Sequence, residues 1–95
     1  MLFQNDRYMT RGVNAEIPLT VQLFIWNCID HLPEERDHFQ VFVLEPMGVM
    51  QRISHTSEQP EYHMEYLILS DNPITAKLYV IDDGDHTTML LAEEY

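Results

Sequence analysis

Lysine occurs once in this chain, at Lys77, and cysteine once, at Cys28. The shortage of bases matters first. Arg7, Arg11, Arg36, Arg52 and Lys77 stand against sixteen carboxylates, giving a net charge of −11 and a pI near 4.5. Such a field repels phosphate backbones and anionic headgroups, which excludes direct nucleic-acid binding and binding to an anionic membrane. A single cysteine excludes an internal disulfide and fits a reducing compartment. Long apolar runs are missing too: stretches such as 23–26, 41–44 and 89–92 fall far short of the roughly 20 residues that span a bilayer. The opening MLFQNDRYM has neither the basic start nor the apolar stretch of a signal peptide. No repeat, Gly/Ser tract or proline-rich linker divides the chain. The 95 residues are therefore expected to form one globular domain over 1–95, cytoplasmic and soluble.

The negative charge is uneven. Residues 1–48 hold seven acids and three arginines, net −4, whereas residues 49–95 hold nine acids and two bases, net −7. Residues 7–10 read as a short strand that Gly12 and Asn14 break. Residues 18–32 carry a helical pattern, with Pro18 suited to the first turn and Pro33 stopping the helix. Thr20, Asn27, Asp30 and His31 share one narrow face. Apolar side chains cover most of the remaining circumference, with Gln22 the only polar exception, so this helix should be nearly engulfed. Residues 39–45 include four consecutive apolar positions, 41–44, the mark of a strand covered on both faces. Glu45-Pro46-Met47-Gly48 reads as a type I turn with a glycine bulge, setting Val41 opposite Ile53 and Phe42 opposite Arg52. Residues 62–69 alternate, with Tyr62, Met64, Tyr66 and Ile68 on one face and Glu61, His63 and Glu65 on the other. Asp83-Gly84 suits a two-residue hairpin turn that pairs Ala76 with Leu91, Leu78 with Met89 and Val80 with Thr87. The fold class is α+β: one long buried helix, about 18–32, packed on an antiparallel sheet of about five to six strands.

Chemistry-bearing groupings are few. Asp82, Asp83, Asp85 and His86 surround Gly84, and their oxygens suit Ca²⁺ or Mg²⁺. They lack the spacing of a calcium loop, and aspartate also suits a plain solvated turn. In the hairpin, Asp82 would face Asp85, a like-charge pair. Glu61, His63 and Glu65 bring an imidazole between two carboxylates, either as a recognition surface or as a strand face made polar for water. The five histidines, His31, His38, His55, His63 and His86, fit no zinc spacing. Cys28 lies on the apolar side of the helix as an inert thiol. Ser54, Ser57 and Ser70 lack a nucleophile-elbow context, and Gly12, Gly48 and Gly84 all have turn duties. No catalytic set emerges and no cofactor is expected.

Two features point to recognition of another protein. Tyr8, Tyr62, Tyr66, Tyr79 and Tyr95, with Trp26, Phe42 and six methionines, are more than one small core must hide, and Tyr and Met are enriched at interfaces. Carboxylates on a rigid β surface can also imitate a row of DNA phosphates. The residues singled out for partner binding are Glu61, His63, Glu65, Tyr62, Tyr66, Tyr79, Asp82 and Asp85. The expected role is non-enzymatic protein binding. The alternatives are an acidic DNA-mimic inhibitor of a DNA-binding enzyme and a divalent-cation activity at the Asp82–His86 turn. Homodimerisation through an edge strand is compatible with either binding role.

The segments Arg7-Tyr8-Met9-Thr10-Arg11-Gly12-Val13-Asn14 and Glu16-Ile17-Pro18-Leu19 resemble the opening of domain of unknown function family 960, small proteins of Gram-positive bacteria and their mobile elements. Residues 75–86 (TAKLYVIDDGDH), followed by Thr88-Met89-Leu90-Leu91-Ala92 and Glu94-Tyr95, resemble its ending, and Glu58-Gln59-Pro60-Glu61-Tyr62 is similar to its middle. The resemblance implies a stand-alone cytoplasmic domain. It brings no established activity, ligand or catalytic residue, and its link to mobile elements favours the mimic.

Overall fold

The computed structural model describes residues 2–95. Strand β1 (Asp6–Met9) precedes helices α1 (Arg11–Glu16) and α2 (Leu19–Asp30). Strands β2 (Phe39–Met47), β3 (Met50–Glu58), β4 (Glu61–Leu69), β5 (Ala76–Asp82) and β6 (His86–Leu91) follow, and a 3₁₀ turn over Ala92–Glu94 closes the chain. All strands join one six-stranded sheet in the order β1-β6-β5-β2-β3-β4. The α+β class holds, but the sheet is mixed rather than antiparallel, because β1 lies parallel to β6 with Tyr8 beside Thr88. Tight turns force antiparallel pairing only between sequential strands. The first and last strands meet through no hairpin, so sequence patterns could not set their relative direction.

The expected helix is shorter than 18–32, and a second one precedes it. Helix α1 begins where Thr10 Oγ1 accepts the Val13 amide at 3.3 Å, an N-cap. Gly12 therefore sits inside a helix instead of breaking a strand. A Cβ there would lie 2.7 Å from Glu94 Oε2 and 2.8 Å from Leu91 Cδ1, so the ends of those two side chains would have to move to admit one. Gln22 is the polar exception on α2 for a reason visible only in three dimensions. It is buried, and its Nε2 donates to the carbonyls of Ile17 at 2.7 Å and Val13 at 3.4 Å, satisfying the end of α1. Arg36 does the same beyond α2, donating to Leu32 O and Pro33 O at 2.7 Å. Helix α2 is not engulfed. Val21, Ile25, Cys28 and Ile29 face the sheet, while Leu19 and Leu23 are 65% and 59% exposed, because a single helical layer leaves its outer side uncovered.

The β2–β3 register differs from expectation by three residues. Val41 pairs with Thr56 and Phe42 with His55, since β2 continues through Pro46 and Met47 and the turn falls on Gly48-Val49, with Gly48 at φ 61°. Pro46 is tolerated because β5 starts opposite Leu44, leaving that end of β2 without its second neighbour. An odd shift inverts every side chain. It turns Phe42, Leu44 and Ile53 into the core with Leu78, Val80, Met89 and Leu91, under Val13, Ile17, Val21, Ile25 and Ile29. The β5–β6 hairpin shifts by two, which keeps the faces: Leu78 meets Leu91, Val80 meets Met89 and Asp82 meets Thr87. Its turn centres on Gly84-Asp85, with positive φ at Gly84 alone.

Candidate protein-binding face

Because both helices pack on one side of the sheet, the alternate residues of all six strands form a second face that no other described strand or helix covers. The registers define its rows. Tyr8, Thr88, Ile81 and Phe39 lie in one, and Leu90, Tyr79, Val41, Thr56 and His63 in the next. Lys77, Val43, Ser54 and Glu65 follow, and Met47, Met50 and Leu69 close the far corner. The centre is aromatic and aliphatic. Phe39 and Tyr79 have ring centroids 4.7 Å apart, and Tyr95 meets both edge-on at 5.5 Å. Tyr8 stands edge-on to His86 at 5.2 Å. Tyr95 remains 78% exposed, Tyr8 55% and Val43 37%. An open groove of about 850 Å³ runs beside this cluster, floored by Val41, Thr56, Lys77 and Tyr79 and bounded by Asp37, His38, Glu58 and Gln59.

Carboxylates rim this centre. Arg52 donates to Glu45 at 3.2 Å and to Glu65 at 3.0 Å, Ser54 donates to Glu65 at 2.8 Å, and His63 pairs with Glu65 as well. His63 first, then Ser54 and Arg52, hold the Glu65 carboxyl down to about 2. Glu61 shares this face next to Glu58, its cross-strand partner. The expected Glu61, His63 and Glu65 line thus exists, with Tyr79 on the same face. Tyr62 and Tyr66 turn the other way, half-buried near His55 and Phe24 with centroids 5.0 Å away in each pair.

The Asp82–His86 segment does not act as one group. Asp82 is buried on the helix side opposite Thr87, not exposed opposite Asp85. Its oxygens accept the Phe3 amide at 2.7 Å, the Gly84 amide at 2.8 Å and Asn5 Nδ2 at 3.1 Å. Burial opposes its charge, but these donors outweigh it and lower its pKa. Asp83 is consumed by the turn, accepting the amides of Asp85 at 3.0 Å and His86 at 3.1 Å. Among the described residues, no three His, Cys, Asp or Glu side chains are placed to hold a metal ion. Cys28 is buried, and desolvation pushes its thiol up to about 11 against a lowering hydrogen bond from Tyr66.

Sequence reasoning missed several residues. Asp37 ties the α2–β2 loop to the β3–β4 turn by accepting the amides of Gln59 at 2.9 Å, Phe39 at 3.0 Å and Glu58 at 3.3 Å. These donors lower its pKa in spite of burial, which works the other way. Phe39, Val41 and Val43 belong to the open face. Their signal was present in the apolar run at 41–44, which asks for cover on both sides although the chain supplies it on one.

Fold and surface together define a one-sided α+β domain with a mixed six-stranded sheet. Residues 6–94 match the family described as "Staphylococcal protein of unknown function (DUF960)", and the chain belongs to that family. A search of curated proteins returns no match. The crystal structure of a protein of unknown function from Enterococcus faecalis is similar, with a TM-score of 0.77 at 22% identity, covering 96% of this chain and 91% of that one. At that identity the likeness is one of fold. No described helix is long and apolar enough to cross a membrane.

Proposed function

We propose that this protein is a non-catalytic binding module whose uncovered sheet face engages a basic protein partner. The observation that carries the reading is the apolar run at 41–44. Phe42 and Leu44 are fully buried under the helices, while Val41 and Val43 open onto a surface centred on Phe39, Tyr79 and Tyr95. An apolar, aromatic centre inside a charged rim is the anatomy of a protein interface. The rim carboxylates Glu58 and Glu61 and a net charge of −11 select a partner of opposite sign and speed its encounter, while Glu45 and Glu65 are shared with Arg52.

Panning a random peptide library against the folded protein tests this. Basic peptides carrying an aliphatic or aromatic anchor should be enriched. A Val43→Arg/Tyr95→Ala variant should retain about tenfold less of them, given that aromatic anchors dominate such interfaces. High salt should strip the remainder. Recovery of acidic peptides, or equal recovery on both baits, would reject the reading.

A DNA-mimic inhibitor is the second reading, favoured by the gathering of Glu34, Glu35, Asp83 and Asp85 in loops and turns, with Glu58 and Glu61 at strand ends, at one end of the sheet. A mimic needs carboxylates aimed at solvent, however, and Asp30, Asp37, Glu45, Glu65, Asp82, Asp83 and Glu94 are held by internal donors. Cation chemistry at the Asp82–His86 turn has less support still, because Asp82 points into the core.

A further inference from the structure

The sheet ends in two unlike edges. Strand β1 is four residues long and charged at Asp6 and Arg7, whereas β4 is nine residues long and pairs with β3 without a bulge from Glu61 to Leu69. Proteins blunt an exposed edge by shortness, lysine, proline or a bulge. Strand β4 is long and has no lysine, proline or bulge; its only charged residues besides His63 are Glu61 and Glu65, and its outer row of amides and carbonyls has no strand beside it among the described residues.

The residues of β4 are complementary to themselves. Antiparallel pairing of two copies about Met64 sets His63 opposite the partner's Glu65, and Glu65 opposite the partner's His63, on the open face. On the helix side it sets Tyr62 opposite the partner's Tyr66, twice, with the two Met64 side chains meeting at the axis. Paired aromatics across strands stabilise a ladder, and the imidazole of His63 can pair with a carboxylate, as it does with Glu65 of its own strand. Neighbouring registers lose this: centring on Glu65 opposes two glutamates, and centring on Tyr66 separates both His63 from Glu65 and Tyr62 from Tyr66, whereas the Met64-centred register keeps these pairs and sets Glu61 against Leu67. Met64 is 43% exposed although it lies on the helix-side face, so the axis residue is accessible.

We propose that the chain forms a two-fold homodimer by antiparallel β4–β4 pairing centred on Met64, merging two six-stranded sheets into one. A two-fold contact must be self-complementary, and the Tyr62–Tyr66 stretch meets that requirement in its residue pairs, Tyr with Tyr and His with Glu. The small contact area of a strand pair implies a reversible equilibrium rather than an obligate dimer. Repulsion between two chains of net −11 is confined to about 8 Å at physiological salt. The dimer is independent of the open-face partner, so either can fail alone.

Sedimentation equilibrium and site-directed crosslinking test it. The wild type should approach twice the 11.3 kDa chain mass as concentration rises, and a monomer persisting at about 1 mM overturns the proposal. Under oxidation, Met64→Cys should form a covalent dimer. Leu67→Cys should not, because its two copies would lie about 20 Å apart along the strands. Crosslinking of Leu67→Cys, or of neither variant, overturns the register. His63→Glu, which places like charges opposite each other twice, should weaken association about tenfold, while His63→Lys should keep it. Equal masses for both variants also overturn it.

Discussion

The two faces of the sheet are made by the same strands but treat polar groups in opposite ways. On the covered face each buried polar side chain is tied inward. Gln51, for example, donates to the carbonyls of Glu45, Arg52 and Ile74 and accepts the Ile74 amide at 2.8 Å, fastening the β4–β5 connection. On the open face the charged groups stay wet, and the apolar centre is only half covered. Stability should therefore reside in the first face and recognition in the second. The sharpest test uses adjacent residues. Phe42→Ala removes a fully buried ring stacked 4.1 Å from His55 and should cost about 3–5 kcal/mol in urea denaturation. Val43→Ala, one residue along and facing outward, should cost less than about 1 kcal/mol. Similar losses would erase the distinction.

His55 breaks the pattern of the covered face. It is fully buried, its Nε2 donates to Gln40 Oε1 at 2.7 Å, and its Nδ1 has no partner. Desolvation lowers its pKa from 6.5 to about 4. The unfolded chain thus binds a proton below pH 6.5 that the folded chain refuses until about pH 4. Stability is whole above 6.5 and falls through that window, by about 3 kcal/mol at its lower end. His55→Gln should flatten the decline, and an unchanged slope in that variant would show that the buried ring is not its source.

Asp82 contributes in a different pH range. Its lowered pKa means that its support is present above the usual carboxylate range and is lost as pH falls through the folded value, below the His55 window. Asp82→Ala strands the amides of Phe3 and Gly84 and should cost about 2 kcal/mol, releasing the N-terminal segment first. Hydrogen exchange that leaves the Phe3 amide as protected as before would contradict this.

What the sequence revealed follows from what local pattern can encode. The strands, the α2 core and the faces of β5 and β6 were legible because alternation and a Gly-containing turn are local. The β2–β3 faces came out inverted, since Pro46 suggested a turn where the end of β5 in fact leaves room for it. Helix α1 was hidden because Gly12 answers to Glu94 and Leu91, residues at the other end of the chain. Asp82 looked like part of a surface cluster for the same reason: its donors Phe3 and Asn5 are distant in sequence. On the open face, Glu61, His63 and Glu65 were legible by parity, but the aromatic centre was not, because Tyr95 joins Phe39 only through the final turn.

Tyr95 gives the smallest expected effect on stability and the cleanest separation of the two faces. Its ring touches Phe39 and Tyr79 edge-on at 5.5 Å yet is 78% exposed. Such contacts add about 0.5–1.5 kcal/mol when buried, and most of that is lost in water, so Tyr95→Ala should shift the urea midpoint by no more than about 0.5 kcal/mol. The same substitution removes the most accessible aromatic side chain of the proposed interface, where truncating an anchor costs about 2 kcal/mol or more of binding. Measured side by side, a stable fold with weakened capture of basic peptides places Tyr95 in recognition. A large loss of stability would instead make the C-terminal residue part of the core, and the open face would then be structural where it is now assigned to binding.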